Sequence, residues 1–175
     1  MIFEKLVPEF DALLKAFDSG NSYLDQFLKG RMAYDGSIGK TYLFLSDDKK
    51  YIIGYYNIGV GSVEIIEDSM RKKIGGAIHI NCFAIDKKYQ DQVEFTMPDG
   101  ENIHLSDLML FDCMKRINYL RENHIGVAFV TLNATKEGEY FYKHNDFEYL
   151  ESDMDFSLED NDVECTKMYL PLDIE

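Results

Sequence analysis

Residues 41–46 and 51–66 are dense in Tyr, Ile, Val and Thr, and only the polar link Asp47-Asp-Lys-Lys50 separates them. Side chains of these types suit a pleated, half-buried surface, so the two runs predict an antiparallel hairpin. A hairpin of this length is unstable alone and must be covered by other elements. Ala-Ile-His-Ile-Asn-Cys-Phe-Ala-Ile, residues 77–85, predicts another strand, ended by Asp86-Lys-Lys. Ahead of the hairpin, Phe10, Leu13, Leu14 and Phe17 recur at helical spacing. Asp18-Ser-Gly-Asn breaks that pattern, and a second helix is expected from Tyr23 to Tyr34. The polar stretch 89–104, with Pro98 and Gly100, predicts a long loop or a small flap. Ser106 or Asp107 can then cap a helix with Leu110, Met114, Ile117 and Leu120 on its apolar face, running to about Asn123. Strands are expected over Gly126–Leu132, Phe147–Leu150 and Glu164–Leu172, with a short helix over Lys136–His144. This order predicts a mixed α/β fold with no internal repeat and no interdomain linker. The expectation is one domain over 1–175, with 91–104 as an inserted loop or flap.

A chain of 175 residues, 46% of them apolar, can close one core without disulfides or metals. No apolar run approaches the roughly 20 residues that cross a bilayer. The start, Met1-Ile-Phe-Glu-Lys-Leu, lacks a basic region followed by a long apolar one, so a cytoplasmic location and no membrane are expected. Cys82, Cys113 and Cys165 are odd in number, far apart and without a nearby ligand at metal spacing. They read as ordinary buried thiols, with no metal site.

The net charge of -14 repels polyphosphate backbones and favours cationic partners, so nucleic acid is disfavoured. Residues 151–175 carry nine of the acids and one base, which makes much of the excess a C-terminal feature.

Gly36-Ser-Ile-Gly39-Lys40-Thr41 ends like a phosphate-binding loop, but Tyr34 stands at the position of the first Gly, and the segment leaves a helix to enter a strand. Asp153, Asp155, Ser157 and Glu164 match four positions of a calcium loop, yet Leu158 occupies the place where the turn demands Gly, so a solvated acidic loop is expected. His79, His104, His124 and His144 are dispersed, and no Ser or Cys sits in a nucleophile elbow.

Four segments occur in an order that resembles a known family. They are Phe17-Asp-Ser-Gly-Asn21-Ser-Tyr-Leu24-Asp-Gln-Phe-Leu28, Ile53-Gly-Tyr-Tyr-Asn-Ile-Gly-Val-Gly-Ser62, Phe83-Ala-Ile-Asp86-Lys-Lys-Tyr-Gln90, and Phe141-Tyr142-Lys143 followed by Phe147. Together they look like successive landmarks of the GCN5-related N-acetyltransferases. The first two are most similar to the branch that includes the acetyltransferase toxins of bacterial toxin–antitoxin pairs, and the likeness covers about residues 15–150.

The resemblance implies a mixed central sheet flanked by helices, with acetyl-CoA as cosubstrate and no metal. Its pantetheine would pair with the backbone of Asn81 to Asp86, chiefly Phe83, Ala84 and Ile85. The family holds the pyrophosphate on backbone amides where a Gly-rich loop opens a helix, as helix N-termini hold anions. Here Gln90 is in place, but residues 91–104 intervene, and His104 and Ser106 stand where glycines would be. The coenzyme would then meet Gln90 and the amides of Ile103, His104, Leu105, Ser106 and Asp107. Two readings of the insertion compete: a flap reshaping the acceptor side of a working enzyme, or a decayed coenzyme site carrying four added acids.

By the same resemblance Tyr142 would protonate the departing thiolate of coenzyme A, a task suited to a phenol because its pKa of about 10 lies near that of a thiol. Thr135, Gly138 and Asp146 depart from the family's usual residues around it. Glu64 is a candidate general base, with water as the other route for the proton. The expected activity is transfer of acetyl to a primary amine of a small molecule or peptide by direct attack. Aminoacyl-tRNA is not expected as acceptor, and a homodimer is admitted. The rival reading is a catalytically silent binding module of the same fold.

Overall fold

The hairpin anticipated over 41–66 forms, and most of it lies in the first of two units into which the chain divides. These units are Met1–Ile58 with Cys82–Leu120, and Gly59–Asn81 with Arg121–Glu175. The computed structural model describes residues 1–156 and 165–172.

The first unit opens with β1 (Ile2–Lys5), a 3-10 turn at Pro8–Phe10, α1 (Asp11–Leu14), α2 (Ser22–Lys29) and a second 3-10 turn at Arg31–Tyr34. It continues through β2 (Lys40–Leu45), the start of β3 (Ile52–Glu67), the end of β4 (Met70–Ile85), β5 (Val93–Thr96), β6 (Asn102–His104) and most of α3 (Leu105–Asn123). Its strand order is β1-β2-β3-β4, with β5 and β6 as a separate two-stranded sheet. β2 and β3 pair antiparallel from Lys40↔Ile58 to Leu45↔Ile52.

Alternation along these strands sorts the side chains onto two faces. Leu43, Leu45, Tyr55, Cys82 and Ala84 pack with Leu14, Phe17, Phe27 and Leu28 of the helical N-terminal segment. Tyr42 and Tyr56 face α3 instead. The Tyr56 hydroxyl donates to Asp112 Oδ2 at 2.5 Å, Arg116 Nε donates to the same oxygen at 2.8 Å, and the guanidinium lies 4.3 Å from the Tyr42 ring centroid. Gly54 lets α3 sit this close, because a Cβ there would come within 2.8 Å of Met109 Sδ.

The expected helix over 23–34 is cut at Gly30, where the backbone leaves helical geometry with ψ 179° before the 3-10 turn. Its start is secured by Asn21, whose Oδ1 accepts from the amides of Tyr23 at 3.0 Å and Leu24 at 3.2 Å. β1 was not anticipated: four residues are too short for a periodic signal, and register against β2 makes them a strand.

In the second unit β3 and β4 continue to a turn at Asp68 and Ser69, both at positive φ. β4 therefore begins at Met70 rather than at Ala77. There follow β7 (Phe129–Ala134), α4 (Glu139–His144), β8 (Glu148–Tyr149), β9 (Met154–Asp155) and β10 (Thr166–Pro171). The order here is β3-β4-β7-β10-β8, with β9 on β3. β4 and β7 run parallel, from Ala77↔Phe129 to Ile80↔Leu132, while β7, β10 and β8 are antiparallel, so the sheet is mixed as expected. Cys82 and Cys113 are buried, but Cys165 is exposed just ahead of β10, which corrects the reading of three buried thiols. No helix among the described residues is long and apolar enough to cross a membrane.

Candidate functional site

Two of the four sequence landmarks meet in the first unit. Asp86, 3% exposed at the end of β4, accepts from the amide of Asp18 through Oδ2 and from that of Lys88 through Oδ1, each at 3.0 Å. The Lys87 amide donates to Asp18 O at 2.8 Å, and the Lys87 ammonium pairs with the Asp18 carboxylate, holding it below the usual carboxylate range. A buried carboxylate this well supplied with amide donors makes a rigid clasp between residues distant in sequence.

Gln90 belongs to the same clasp. Its Nε2 donates to Ser19 O at 2.9 Å and to Ile85 O at 3.0 Å. Both amide protons are thereby engaged, and the remaining side-chain atom, Oε1, is an acceptor with nothing to give a phosphate. Gln90 thereby ties the strand end carrying Phe83, Ala84 and Ile85 to the Ser19 segment.

The intervening residues form a hairpin flap, β5 against β6, in place of an irregular loop. Its base is closed where the Leu105 amide donates to Gln92 O at 3.1 Å. The His104 amide donates to Asp107 Oδ2 at 2.8 Å, so Asp107 reaches back from the first turn of α3 rather than standing ahead of the helix as its cap. Of the five amides expected to face a pyrophosphate, those of His104 and Leu105 are therefore engaged within the protein, and Ile103 lies in β6 paired with Phe95. Ser106 and Asp107 sit in the first turn, where amides have no intrahelical acceptor four residues back.

Tyr142 lies on α4 in the second unit. It is 8% exposed, with its ring edge-on to Phe147 at 5.6 Å and to Phe141 at 5.2 Å. The Phe147 amide donates to Tyr142 O at 3.0 Å, so the chain folds back at Asp146, which adopts φ 65° where the family usually has Gly. A Cβ at Gly138 would stand 3.5 Å from Tyr142 Cε2, an ordinary van der Waals contact.

Glu64, the candidate base, is tied into an ion-pair network. Arg71 Nη1 lies 3.2 Å from Glu64 and 3.0 Å from Asp155, and Lys167 Nζ lies 2.8 Å from Asp155. Burial raises the Asp155 carboxyl, but Lys167 and Arg71 outweigh it and the net shift is downward. Asp155 lies in β9, while Ser157, Leu158 and Glu164 of the calcium-loop match lie outside the described residues. Sequence reasoning gave His79 no role, yet it is 4% exposed, with Nδ1 2.8 Å from Thr131 Oγ1 and its ring 5.3 Å from that of Phe156. Burial pushes its pKa down to about 3, so it is neutral at pH 7. Gly39 of the phosphate-loop lookalike is explained by packing, since a Cβ would come 2.4 Å from Ile58 O. No metal-binding group of side chains occurs among the described residues.

No protein-family profile matches the chain, and no curated protein matches it in sequence. Solved structures do match. A bacterial toxin superimposes with a TM-score of 0.70 at 16% identity, over 97% of this chain and 90% of that one. The AtaTR complex bound with acetyl-CoA gives 0.67 at 19% identity, over 97% and 92%. AtaT complexed with acetyl-methionyl-tRNAfMet gives 0.67 at 19% identity, over 97% and 94%. At this identity the likeness is one of fold, and the fold is the GCN5-related N-acetyltransferase fold anticipated from the four landmarks.

Proposed function

We propose that the protein is an acetyl-CoA-dependent N-acetyltransferase acting on a primary amine. The observation that carries this reading is the match over 97% of the chain to a structure of the same fold holding acetyl-CoA. The residues present fit such a cosubstrate. The backbone of Phe83 to Ile85, anchored by Asp86 and Gln90, would pair with the pantetheine, and the Ser106 and Asp107 amides at the start of a 19-residue helix would hold the pyrophosphate.

The thioester supplies an activated acetyl group, which the amine lone pair attacks directly. Tyr142 gives its phenolic proton to the thiolate as the carbon–sulfur bond breaks, and the proton of the acylated amine leaves to water.

For the acceptor, we favour a cationic small molecule or a peptide amine. The net charge of -14 supports this, as does the fate of the basic clusters. Lys49 pairs with Glu4, Lys50 with Asp48, Arg71 with Glu64 and Asp155, and Lys87 with Asp18. Each cluster gives at least one of its cations to an acid, which leaves less to meet a phosphate backbone. A second reading, favoured by the tRNA complex of AtaT, makes the acceptor an aminoacyl group on tRNA.

Acetyl-CoA at a hundred times its dissociation constant should stabilise the native protein by about 2.7 kcal/mol in a thermal melt. No shift at millimolar coenzyme would favour the silent module. Tyr142→Phe should lower kcat about 100-fold with coenzyme affinity retained; unchanged turnover would assign Tyr142 to packing. Parallel incubations of labelled acetyl-CoA with a polyamine, a peptide amine and charged tRNA decide the acceptor, and transfer to tRNA alone would establish the second reading.

A further inference from the structure

The flap inverts the usual pattern of a small hairpin. All four residues of β5 are exposed. Phe95 and Met97, two positions apart, share one face, while the register irregularity between Val93 and Phe95 puts Val93, opposite His104, on the other; the three are 47%, 41% and 41% exposed in that order. Edge strands ordinarily protect themselves with lysine, proline or a covering element. β5 has no lysine or proline within it; among the described residues it pairs with β6 alone, in a sheet of two strands, and it carries Glu94 between its apolar positions.

Charge narrows what could cover this face. Residues 91–104 contain Asp91, Glu94, Asp99 and Glu101 and no lysine or arginine. A second copy of the chain would bring the same four acids against these, on a molecule already at -14. A basic partner would be attracted instead.

We infer that the flap is a docking strand for an extended, basic segment of a partner protein. The segment adds alongside β5, sets alternate apolar side chains against Phe95 and Met97, and sets its lysines or arginines against the flap's carboxylates. Main-chain pairing would supply part of the affinity and the alternate side chains the selectivity, as in other strand additions. The two ends of the flap are fixed, by the Leu105 bond to Gln92 O at one and by the turn in which the Gly100 amide donates to Met97 O at 2.9 Å at the other. The strand is therefore presented in a defined shape, and little ordering accompanies docking. This inference does not depend on the proposed transferase activity.

The test uses the full chain and an N-acetylated, fluorescently labelled peptide of four Lys-Val repeats, read by anisotropy with and without acetyl-CoA. A Glu-Val peptide and a Lys-Ser peptide of equal length serve as comparisons. Binding by Lys-Val at least tenfold tighter than by either comparison is expected, with a tenfold loss in Phe95→Ser and a similar loss in Glu94→Lys. Thermal melts of both variants check that they fold, and since both sites are exposed their melts should match the parent's. Equal binding of Lys-Val and Lys-Ser, or unchanged binding by Phe95→Ser, would reduce the effect to bulk charge and overturn the inference. Concentration-dependent dimerisation abolished by Phe95→Ser would overturn it in favour of a second copy. Peptide binding in a protein that gives no melt shift with acetyl-CoA would sink the enzymatic reading and leave this one standing.

Discussion

Residues 83–90 and residues 91–104 are adjacent in sequence and opposite in physical character. In the first stretch the Asp86 carboxylate is enclosed, and the Asp86 and Gln90 side chains bond to backbone groups: Asp86 to the Asp18 and Lys88 amides, Gln90 to the Ser19 and Ile85 carbonyls. In the second, Val93, Phe95 and Met97 face water. Buried polar groups are tolerable only when saturated, whereas exposed apolar groups cost little until something covers them. The first stretch is thus built for rigidity and the second for an encounter.

The strongest way to break this contrast is Asp86→Ala, which takes the charged acceptor from the half-buried Asp18 amide and from the Lys88 amide. Hydrogen bonds to a charged group are worth about 1.5–3 kcal/mol each, so a loss of about 3 kcal/mol or more in denaturant melts is expected. A loss under 1 kcal/mol would show that the clasp is ornamental. The same logic reaches the second unit at His79. Its folded pKa of about 3 lies below the unfolded value near 6.5, so between these limits the unfolded chain binds a proton that the folded chain refuses. Stability is full above pH 6.5 and falls as the pH drops, by about 2 kcal/mol at pH 5. Melts from pH 7.5 to 5 should show this slope, and His79→Gln should flatten it; an equal slope in the variant would place the acid sensitivity elsewhere.

Gln90→Ala comes next, with two neutral bonds lost and about 1.5 kcal/mol expected. Its acetyl-CoA affinity should stay within twofold of the parent's. Weakened coenzyme binding at unchanged stability would return Gln90 to the coenzyme site and blur the line between clasp and ligand. The smallest effect belongs to the flap: Phe95→Ser should move stability by less than about 0.5 kcal/mol, as exposed positions do. A larger loss would mean that the apolar face is packed within the protein and is no surface.

Much of the fold was legible along the chain. The β-rich runs over 41–46 and 51–66 became β2 and β3, and the periodic residues after Ser106 became α3. Local patterns sufficed because period two and period 3.6 are set by backbone geometry. What was misjudged depended on distant partners. β1 and β9 are strands only by virtue of β2 and β3, and β4 extends back to Met70 because its hairpin with β3 continues to Asp68 and Ser69.

The candidate site divides the same way. Composition and order by themselves determined the acidic charge, the mixed α/β class, the family likeness and the presence of an insertion between Gln90 and α3. Only the tertiary structure decided which groups there have anything to offer a ligand. Whether an amide or a carboxamide is free depends on a carbonyl or carboxylate within about 3 Å, and those partners come from across the fold: Ser19 lies 71 residues from Gln90, and Asp18 lies 68 from Asp86. A sequence names the donors, but saturation is a property of distances: the carboxamide protons of Gln90 are engaged, while Ser106 and Asp107 stand in the first turn of α3.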